Sequence, residues 1–580
     1  MFDRKTIMAM IVVGLILILL PKYYKLISPQ RPPSPEPVSA PVDTAAKAEK
    51  QPSPAAGQPP IVSSLPVTPP SQPQAVLADT LPNDPEYVRI ETKRFSMTIG
   101  QNGQVTSYTL KEYVFHDGSP VFLQASAILP MPATCYLDFD LGQANFKSLN
   151  NIRLVASTRQ LTVTSGSDSV RLISADSAGR EVALTYVFDA EKYGFGVNLQ
   201  TKGLAAPETG EFRIRWIGGV PSTEPDVMHD VQYSGAYALV GDALEKITTG
   251  RERTKEFTAT GQTRFAAARS KYFIAAIVPA EPAAGVDIHG TNPEPRSKTS
   301  APQYDLTLRQ AWGANASGRW TVYWGPIRYE DLKALDAGLE GTMNWGWAII
   351  KPFSMGVLRA LTAVHKAIPN YGFVIIIFSI AVKMVLWPLT RKSQVSMKKM
   401  AALQPEIQVL REQHSKNSQA MNQAIMALYK ERGVNPASGC IPLLLQMPLL
   451  YALFVVFSST IEFRQAPFIL WIKDLSLPDF VYTLPFAIPM YGARVAVLPL
   501  VMGVTQFIMS KRTTTDPNQK FMLYLMPVFM LMIFNNLPSG LTFYYTLFNL
   551  LAIVEQNLIK LPDFTPSVQV IEEKKGKKKG

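Results

Sequence analysis

Lys383 lies inside an otherwise uncharged run from Tyr371 to Thr390, YGFVIIIFSIAVKMVLWPLT, which is long enough to cross a bilayer. A cation at that depth costs about 2.5 kcal/mol or more unless it is hydrated or paired, so it is retained for steering, relaying or pairing with charge. One blander use is open to a long lysine stem, which can snorkel its ammonium toward the headgroups. Other polar groups fall inside apolar runs of the same kind: Ser379, Gln446, Thr505, Gln506, Thr542, Thr546 and Asn549, with Tyr544 and Tyr545 adding rings that carry a polar end. Taken singly, each suits a helix-packing contact. Taken with Lys383 they describe a wet concavity among helices, with Ser379, Lys383, Gln446, Gln506, Tyr544 and Tyr545 as its candidate lining. Glu555, near the inner end of the last apolar run, reads as interfacial and not as a partner for Lys383.

No Walker motif, G-x-S-x-G, H-E-x-x-H or intramembrane aspartate pair is present, so neither nucleotide hydrolysis nor intramembrane proteolysis is supported. Cys135 and Cys440 form no C-x-x-C pair or zinc spacing. His116, His229 and His289 each lack a second ligand nearby in sequence and read as surface or satisfied histidines. The expectation is a protein without catalytic residues, metal or cofactor.

The elements that would position these groups are apolar runs at 371–390, 439–460, 495–509, 521–537 and 541–559, with Tyr482–Tyr491 also apolar but broken by Pro485 and Pro489. An N-terminal run from Thr6 to Leu20, followed by Pro-Lys-Tyr-Tyr-Lys with no small-x-small cleavage site, reads as an uncleaved signal anchor and makes the sixth span. The net charge of +12 gathers in short segments beside these runs, which is the mark of membrane topology and not of a nucleic-acid surface. Arg391 to Pro436 holds eight Lys or Arg against three Glu, Lys511, Arg512 and Lys520 form a second basic loop, and the tail EEKKGKKKG a third. Both termini and the basic loops are therefore expected inside.

Within the first basic loop, Met400, Leu403, Ile407 and Leu410 share one helical face and Met421, Ile425, Leu428 and Tyr429 another, which predicts a helical hairpin at 391–436. Such a loop serves either as a solvated connection or as a docking arm. Just before the first internal span, residues 342–369 place Trp347, Ile350, Val357, Leu361 and Val364 at helical spacing with interspersed cations, the pattern of a helix lying on the membrane surface. Residues 1–28 form the anchor, residues 29–83 a tether with 14 prolines between Pro29 and Pro73, and residues 561–580 a basic tail. Residues 84–330 alternate polar and apolar positions in short runs, such as Phe95–Ile99, the turn Gln101-Asn102-Gly103, Val105–Leu110, Val182–Phe188 and Trp320–Trp324. They predict an all-β sandwich held outside.

Several short motifs recur in order: Trp387-Pro388-Leu389-Thr390, Ser396-Met397-Lys398-Lys399-Met400, Asn435-Pro436, Gly439-Cys440-Ile441-Pro442, Gln446-Met447-Pro448, Arg464-Gln465-Ala466-Pro467-Phe468, Leu470-Trp471-Ile472 and Pro538-Ser539-Gly540-Leu541 with Tyr544-Tyr545. With them the chain resembles the YidC family of membrane protein insertases over about 342–560, and the anchor, linker and large outer domain resemble the layout of its Gram-negative members. The resemblance implies a six-span α-helical protein of the inner membrane with a five-helix insertase core and an all-β periplasmic domain of super-sandwich type. It also implies a groove open to cytoplasm and lipid that takes a nascent chain's hydrophilic segment. Lys383 corresponds to the family's groove cation, an arginine in enteric members; lysine supplies a point charge without the guanidinium fork. Ser379 and Tyr545 match positions linked to substrate contact. The partners implied are nascent membrane proteins, the ribosome, the Sec translocon, a targeting receptor and the lipid bilayer, with no specific nucleic acid sequence. Two rivals from other classes are a transporter, which would carry polar faces through the whole bilayer, and a membrane-anchored periplasmic carbohydrate-binding protein, whose outer domain would act alone.

Overall fold

In the computed structural model the described residues are 88–559, apart from 124–134, 143–147, 150–151, 251, 296–300, 314, 416, 436–440, 490 and 514–519. The expected anchor, tether and basic tail at 1–28, 29–83 and 561–580 lie outside the described residues.

Alternating burial along Phe95–Ile99 and along Val88–Thr92 puts one face of each strand into a core, as a pleat with period two requires. With Val105–Val114, Pro120–Phe122 and Gln160–Val163 they form a five-stranded sheet, antiparallel except where Val88–Thr92 runs parallel to Gln160–Val163. The turn between Phe95–Ile99 and Val105–Val114 has Gly103 at φ 76°, in the left-handed region that glycine enters without strain. A second, 13-stranded antiparallel sheet carries the rest of the β-domain, with the long strand Thr254–Arg269 pairing Gly235–Val240, Phe273–Pro279 and Ala283–Thr291. The two sheets meet through aromatic side chains. Tyr108 stacks between Phe95 and Trp324 at 4.7 and 4.5 Å, and its hydroxyl donates to the Trp324 carbonyl at 2.8 Å. Burying a phenol requires such a partner, and here the bond also fixes one sheet against the other.

Eight helices are named here in chain order: α1 (Lys351–His365), α2 (Tyr371–Ala402), α3 (Gln404–Gln413), α4 (Ser418–Glu431), α5 (Ile441–Ser459), α6 (Val497–Thr513), α7 (Lys520–Phe534) and α8 (Ser539–Leu558). Helix α2 starts at Asn370, whose side chain accepts from the amides of Gly372 and Phe373, and continues for 32 residues through Pro388. It is the one described helix both long and apolar enough to cross a membrane; Gln446–Ser459 and Leu523–Phe534 are shorter apolar segments. The six-span reading therefore meets fewer full-length apolar helices than the hydropathy suggested. The reason is compositional for α8, which is 20 residues long but carries a polar inner face, and geometric for α7, which ends at Phe534 after 15 residues.

Helix α8 packs against α2, α5 and α6, α6 packs against α7, and α1 lies on α2 and α5. Helices α3 and α4 pair around Leu403, Ile407 and Val434, with Met400, Ile425, Leu428 and Tyr429 against them, and Arg432 reaches Glu406 at 3.2 Å. The apolar segment Tyr482–Tyr491 belongs to a β-hairpin, Phe480–Ile488 with Gly492–Ala496, and not to a span. Pro485 and Pro489 deny it a helical ladder. Asn535 holds the hairpin in place. Its Oδ1 accepts from Ala496 N at 3.0 Å, and its Nδ2 donates to the carbonyls of Tyr491 and Arg494 at 2.9 and 2.7 Å.

Candidate functional site

Helices α2, α6 and α8 bury polar groups among apolar ones and turn apolar stripes outward. Ser379, Lys383 and Thr390 on α2, Thr505 on α6, and Thr542, Thr546, Asn549 and Glu555 on α8 are all buried. The same helices expose Phe373, Ile377, Ile380 and Met384 on α2, Leu500, Val504 and Ile508 on α6, and Leu550, Val554 and Leu558 on α8, at the three- and four-residue spacing of a single helical stripe. Water would penalise continuous apolar stripes of this kind, whereas hydrocarbon accepts them.

Lys383 is not free in this interior. Its ammonium lies 2.7 Å from Glu555 Oε2, and the two side chains are 9% and 1% exposed. The expectation that Glu555 is interfacial and no partner for Lys383 is corrected here. The physical reason is depth. At about 1.5 Å per residue, Lys383 is about 18 Å along α2 and Thr390 about 28 Å, while Glu555 is about 24 Å along the parallel α8, within reach of both. Thr390 Oγ1 donates to Glu555 Oε1 at 2.6 Å, and the Phe548 ring lies 4.3 Å from the Lys383 ammonium. The carboxylate thus offers one oxygen to each neighbour, and the cation has both a counter-charge and an aromatic face.

The other candidate residues divide. Ser379, one turn before Lys383 on the same face, is fully buried and donates to the Ile375 carbonyl at 2.7 Å, the back-bond typical of a serine inside a helix. Tyr544 is buried, its ring 6.2 Å from Phe378 of α2, and its hydroxyl finds no partner among the described residues. Tyr545 faces the other way, against Phe534 of α7 at 5.3 Å. Gln506 is half-buried on α6 and its amide reaches Ser510 at 3.5 Å, and Gln446 is half-buried on α5. Among the described residues no hydrogen bond joins Gln446 or Gln506 to Lys383, so the structure brings together Ser379, Lys383 and Tyr544 and leaves the two glutamines and Tyr545 apart from them. Glu555 and Thr390 were missed by sequence reasoning. Their signal was available: an acid and a hydroxyl in apolar runs at depths that bracket the lysine.

Around the opposite ends of these helices the loops are tied to one another and to the β-domain. Asp479 Oδ2 accepts from Trp471 Nε1 at 2.8 Å and from the amides of Val497 and Leu498 that open α6. Ser539 and Gly540, at the start of α8, donate to the carbonyls of Leu477 and Leu475 at 2.8 and 2.9 Å. Arg464 is buried against Glu224 of the β-domain at 2.7 Å and donates to the Val114 carbonyl at 2.9 Å, to which Gln465 Nε2 also donates at 2.9 Å. His116 Nε2 lies 3.4 Å from the other Glu224 oxygen, so this histidine is a satisfied one. Burial alone would raise the Glu224 carboxyl, but the His116 bond and the Arg464 charge outweigh it and hold it below the usual carboxylate range. His289 lies 3.4 Å from Glu256 on the surface.

The site centres on Lys383, Glu555 and Thr390. What it offers is a buried cation whose counter-charge is supplied by the chain itself, among buried polar groups wrapped by apolar faces. Residues 363–564 match the family described as the 60Kd inner membrane protein, and residues 87–355 match the YidC periplasmic domain. The chain is 32% identical to the membrane protein insertase YidC of Chloroherpeton thalassium over 100% of its own length and 99% of the relative's. It is 38% identical to the one of Chlorobium luteolum over 66% of each. A solved structure described as an active YidC insertase with the first transmembrane domain resolved aligns with 84% of this chain and 96% of its own, at 16% identity and a TM-score of 0.36.

Proposed function

The chain belongs to the YidC family of membrane protein insertases, and from that premise we propose that Lys383 is the cation of its substrate groove, paired at rest with Glu555. It is an insertase of the inner membrane with a periplasmic β-domain, and its substrates are nascent membrane proteins. The observation that carries the groove reading is that α2, α6 and α8 bury charged and polar side chains in their interior while exposing apolar stripes at the surface. In this reading an acidic residue of the substrate's hydrophilic segment exchanges with Glu555 for the Lys383 ammonium while the substrate's apolar segment leaves into lipid. The exchange keeps Lys383 paired, and its cost is the displaced Glu555 carboxylate, which retains the Thr390 hydroxyl as a hydrogen-bond donor. Net energy comes from moving apolar surface into hydrocarbon and from the membrane potential acting on the translocated acid. No catalytic step is required.

In the same reading α2, α5, α6, α7 and α8 form the five-helix core, the N-terminal anchor makes a sixth span, and both termini and the α3–α4 hairpin are cytoplasmic. The short helices suit a locally thinned bilayer. Helix α1 lies at the interface, Ser379, Gln446, Gln506, Tyr544 and Tyr545 line the substrate's path, and the hairpin receives the ribosome, a targeting receptor or the Sec translocon. The division proposed is anchor 1–28, linker 29–83, β-domain 84–330, interfacial helix 342–369, core 371–560 and tail 561–580.

The test is site-specific crosslinking from positions 379, 383 and 544 to a ribosome-stalled single-span nascent chain, with Lys383→Ala and Lys383→Glu assayed for insertion in parallel. Crosslinks at these positions and a strong defect in the glutamate variant are expected. No crosslink together with normal insertion by Lys383→Glu would remove the groove role.

A further inference from the structure

Beyond the Lys383 site, the ends of three helices enclose a second polar cavity of about 170 Å³, lined by Gln394, Met397 and Lys398 of α2, Arg512 of α6, and Gln556 and Asn557 of α8. Lys398 Nζ donates to the carbonyls of Gln556 and Ile559 at 2.7 and 2.6 Å, which neutralises the negative end of the α8 dipole. Arg512 donates to Asn557 Oδ1 at 2.6 Å. Among the described residues no carboxylate lies within ion-pair distance of Lys398 or Arg512, the two cations that line the cavity. The Gln556 side chain is the second observation. The residue is 5% exposed, and neither its Nε2 nor its Oε1 has a hydrogen-bond partner among the described residues. A buried amide left unbonded is costly, and a ligand with several acceptor oxygens would satisfy its N–H groups.

We propose that this cavity binds the phosphate of an anionic phospholipid headgroup in the cytoplasmic leaflet. Two cations and neighbouring amide donors form the donor set that a phosphodiester takes. The location favours a lipid over a free anion: the exposed apolar stripes reach Leu389 on α2, Ile508 on α6 and Leu558 on α8, each within about three turns of the cavity residue on its own helix. Acyl chains lying on those stripes bring their headgroups to the cavity's level. A zwitterionic headgroup fits less well, because its own cation would meet Lys398 and Arg512. The inference rests on the span assignment proposed above, but lipid retention is read whichever way the chain is oriented, so failure of the lipid site and failure of the topology are separate outcomes.

The test reconstitutes the full chain in nanodiscs of equal parts phosphatidylglycerol and phosphatidylcholine and measures the ratio of the two lipids retained after mild detergent washing. Enrichment of phosphatidylglycerol is expected for the parent. It should fall about fivefold in Arg512→Gln and about 25-fold in Lys398→Gln/Arg512→Gln, since each juxtamembrane cation contributes roughly fivefold toward an anionic lipid. Lys511→Gln removes a neighbouring exposed cation outside the cavity and should leave the enrichment in place. Arg512 is itself exposed, so its single variant reads the site even where the double variant folds poorly. No enrichment in the parent, or an equal loss in Lys511→Gln, overturns the site. Release of the lipid by millimolar inorganic phosphate would overturn the lipid as its source.

Discussion

Replacing Glu555 by glutamine keeps the shape of the side chain and an oxygen for Thr390 but removes the counter-charge of Lys383. The structure sets the size of the effect. Two unit charges 2.7 Å apart attract by about 6 kcal/mol at an effective dielectric constant of about 20. Much of that attraction offsets the desolvation of the two groups, so the pair adds little net stability. Removing one partner is different, because it strands the other charge at about 3–5 kcal/mol. Glu555→Gln should therefore unfold about 3 kcal/mol more easily than the parent in mixed micelles, followed by equilibrium denaturation. Lys383→Met should cost about as much by stranding Glu555, whereas Lys383→Met/Glu555→Gln, with both charges gone, should return to within about 1 kcal/mol of the parent, so the double-mutant cycle reports a coupling of about 5 kcal/mol. Insertion separates stability from function. The double variant should be stable yet slow with a substrate carrying an acidic tail, and Glu555→Gln, with the ammonium unpaired, should hold such a tail longer in crosslinking. A Glu555→Gln protein as stable as the parent, or a double variant no better than the single, would refute the charge pairing on which the exchange mechanism depends.

Other consequences are local. A methyl group on Gly372 would stand 1.8 Å from Phe468 Cδ2, whose ring is also packed against Phe373 and Phe543, so Gly372→Ala should cost about 2 kcal/mol and lower the thermal midpoint. Asn535→Ala would strand the Ala496 amide and the Arg494 carbonyl, since Asn536 still donates to Tyr491; a loss of about 3 kcal/mol is expected, with fast hydrogen exchange at Ala496 as its local mark. Glu224 gives a pH dependence. Its folded value lies below the ordinary 4.5, so the stability it contributes is complete above 4.5 and is lost as pH falls through the folded value. Asp230 nearby, raised by burial, acts in the opposite sense, so the quantity to measure is the difference in acid-unfolding midpoint between the parent and Glu224→Gln. The parent should lose more stability over that interval, and coincident profiles would remove Glu224 from the contact between β-domain and helices.

Much of this protein was legible in the chain because local periodicity carries it. Strands fall where polar and apolar residues alternate, as at Phe95–Ile99, since a pleat sends successive side chains to opposite faces. The faces of α3 and α4 were readable from three- and four-residue spacing for the same kind of reason. Lys383 stood out because the cost of an intramembrane charge is a property of its immediate neighbours alone. What answers that charge is not local. Glu555 is 172 positions away, and no periodicity reports which helices lie parallel or by how much they are offset in depth. The same holds for Tyr482–Tyr491, whose hydropathy suits a span but whose hairpin is decided by two prolines and by Asn535 reaching back from the end of α7. Composition determined that a charge sits in an apolar helix. Only the packing of α2 against α8 decided that it is paired, because ion pairing depends on distances between segments that the order of residues does not encode.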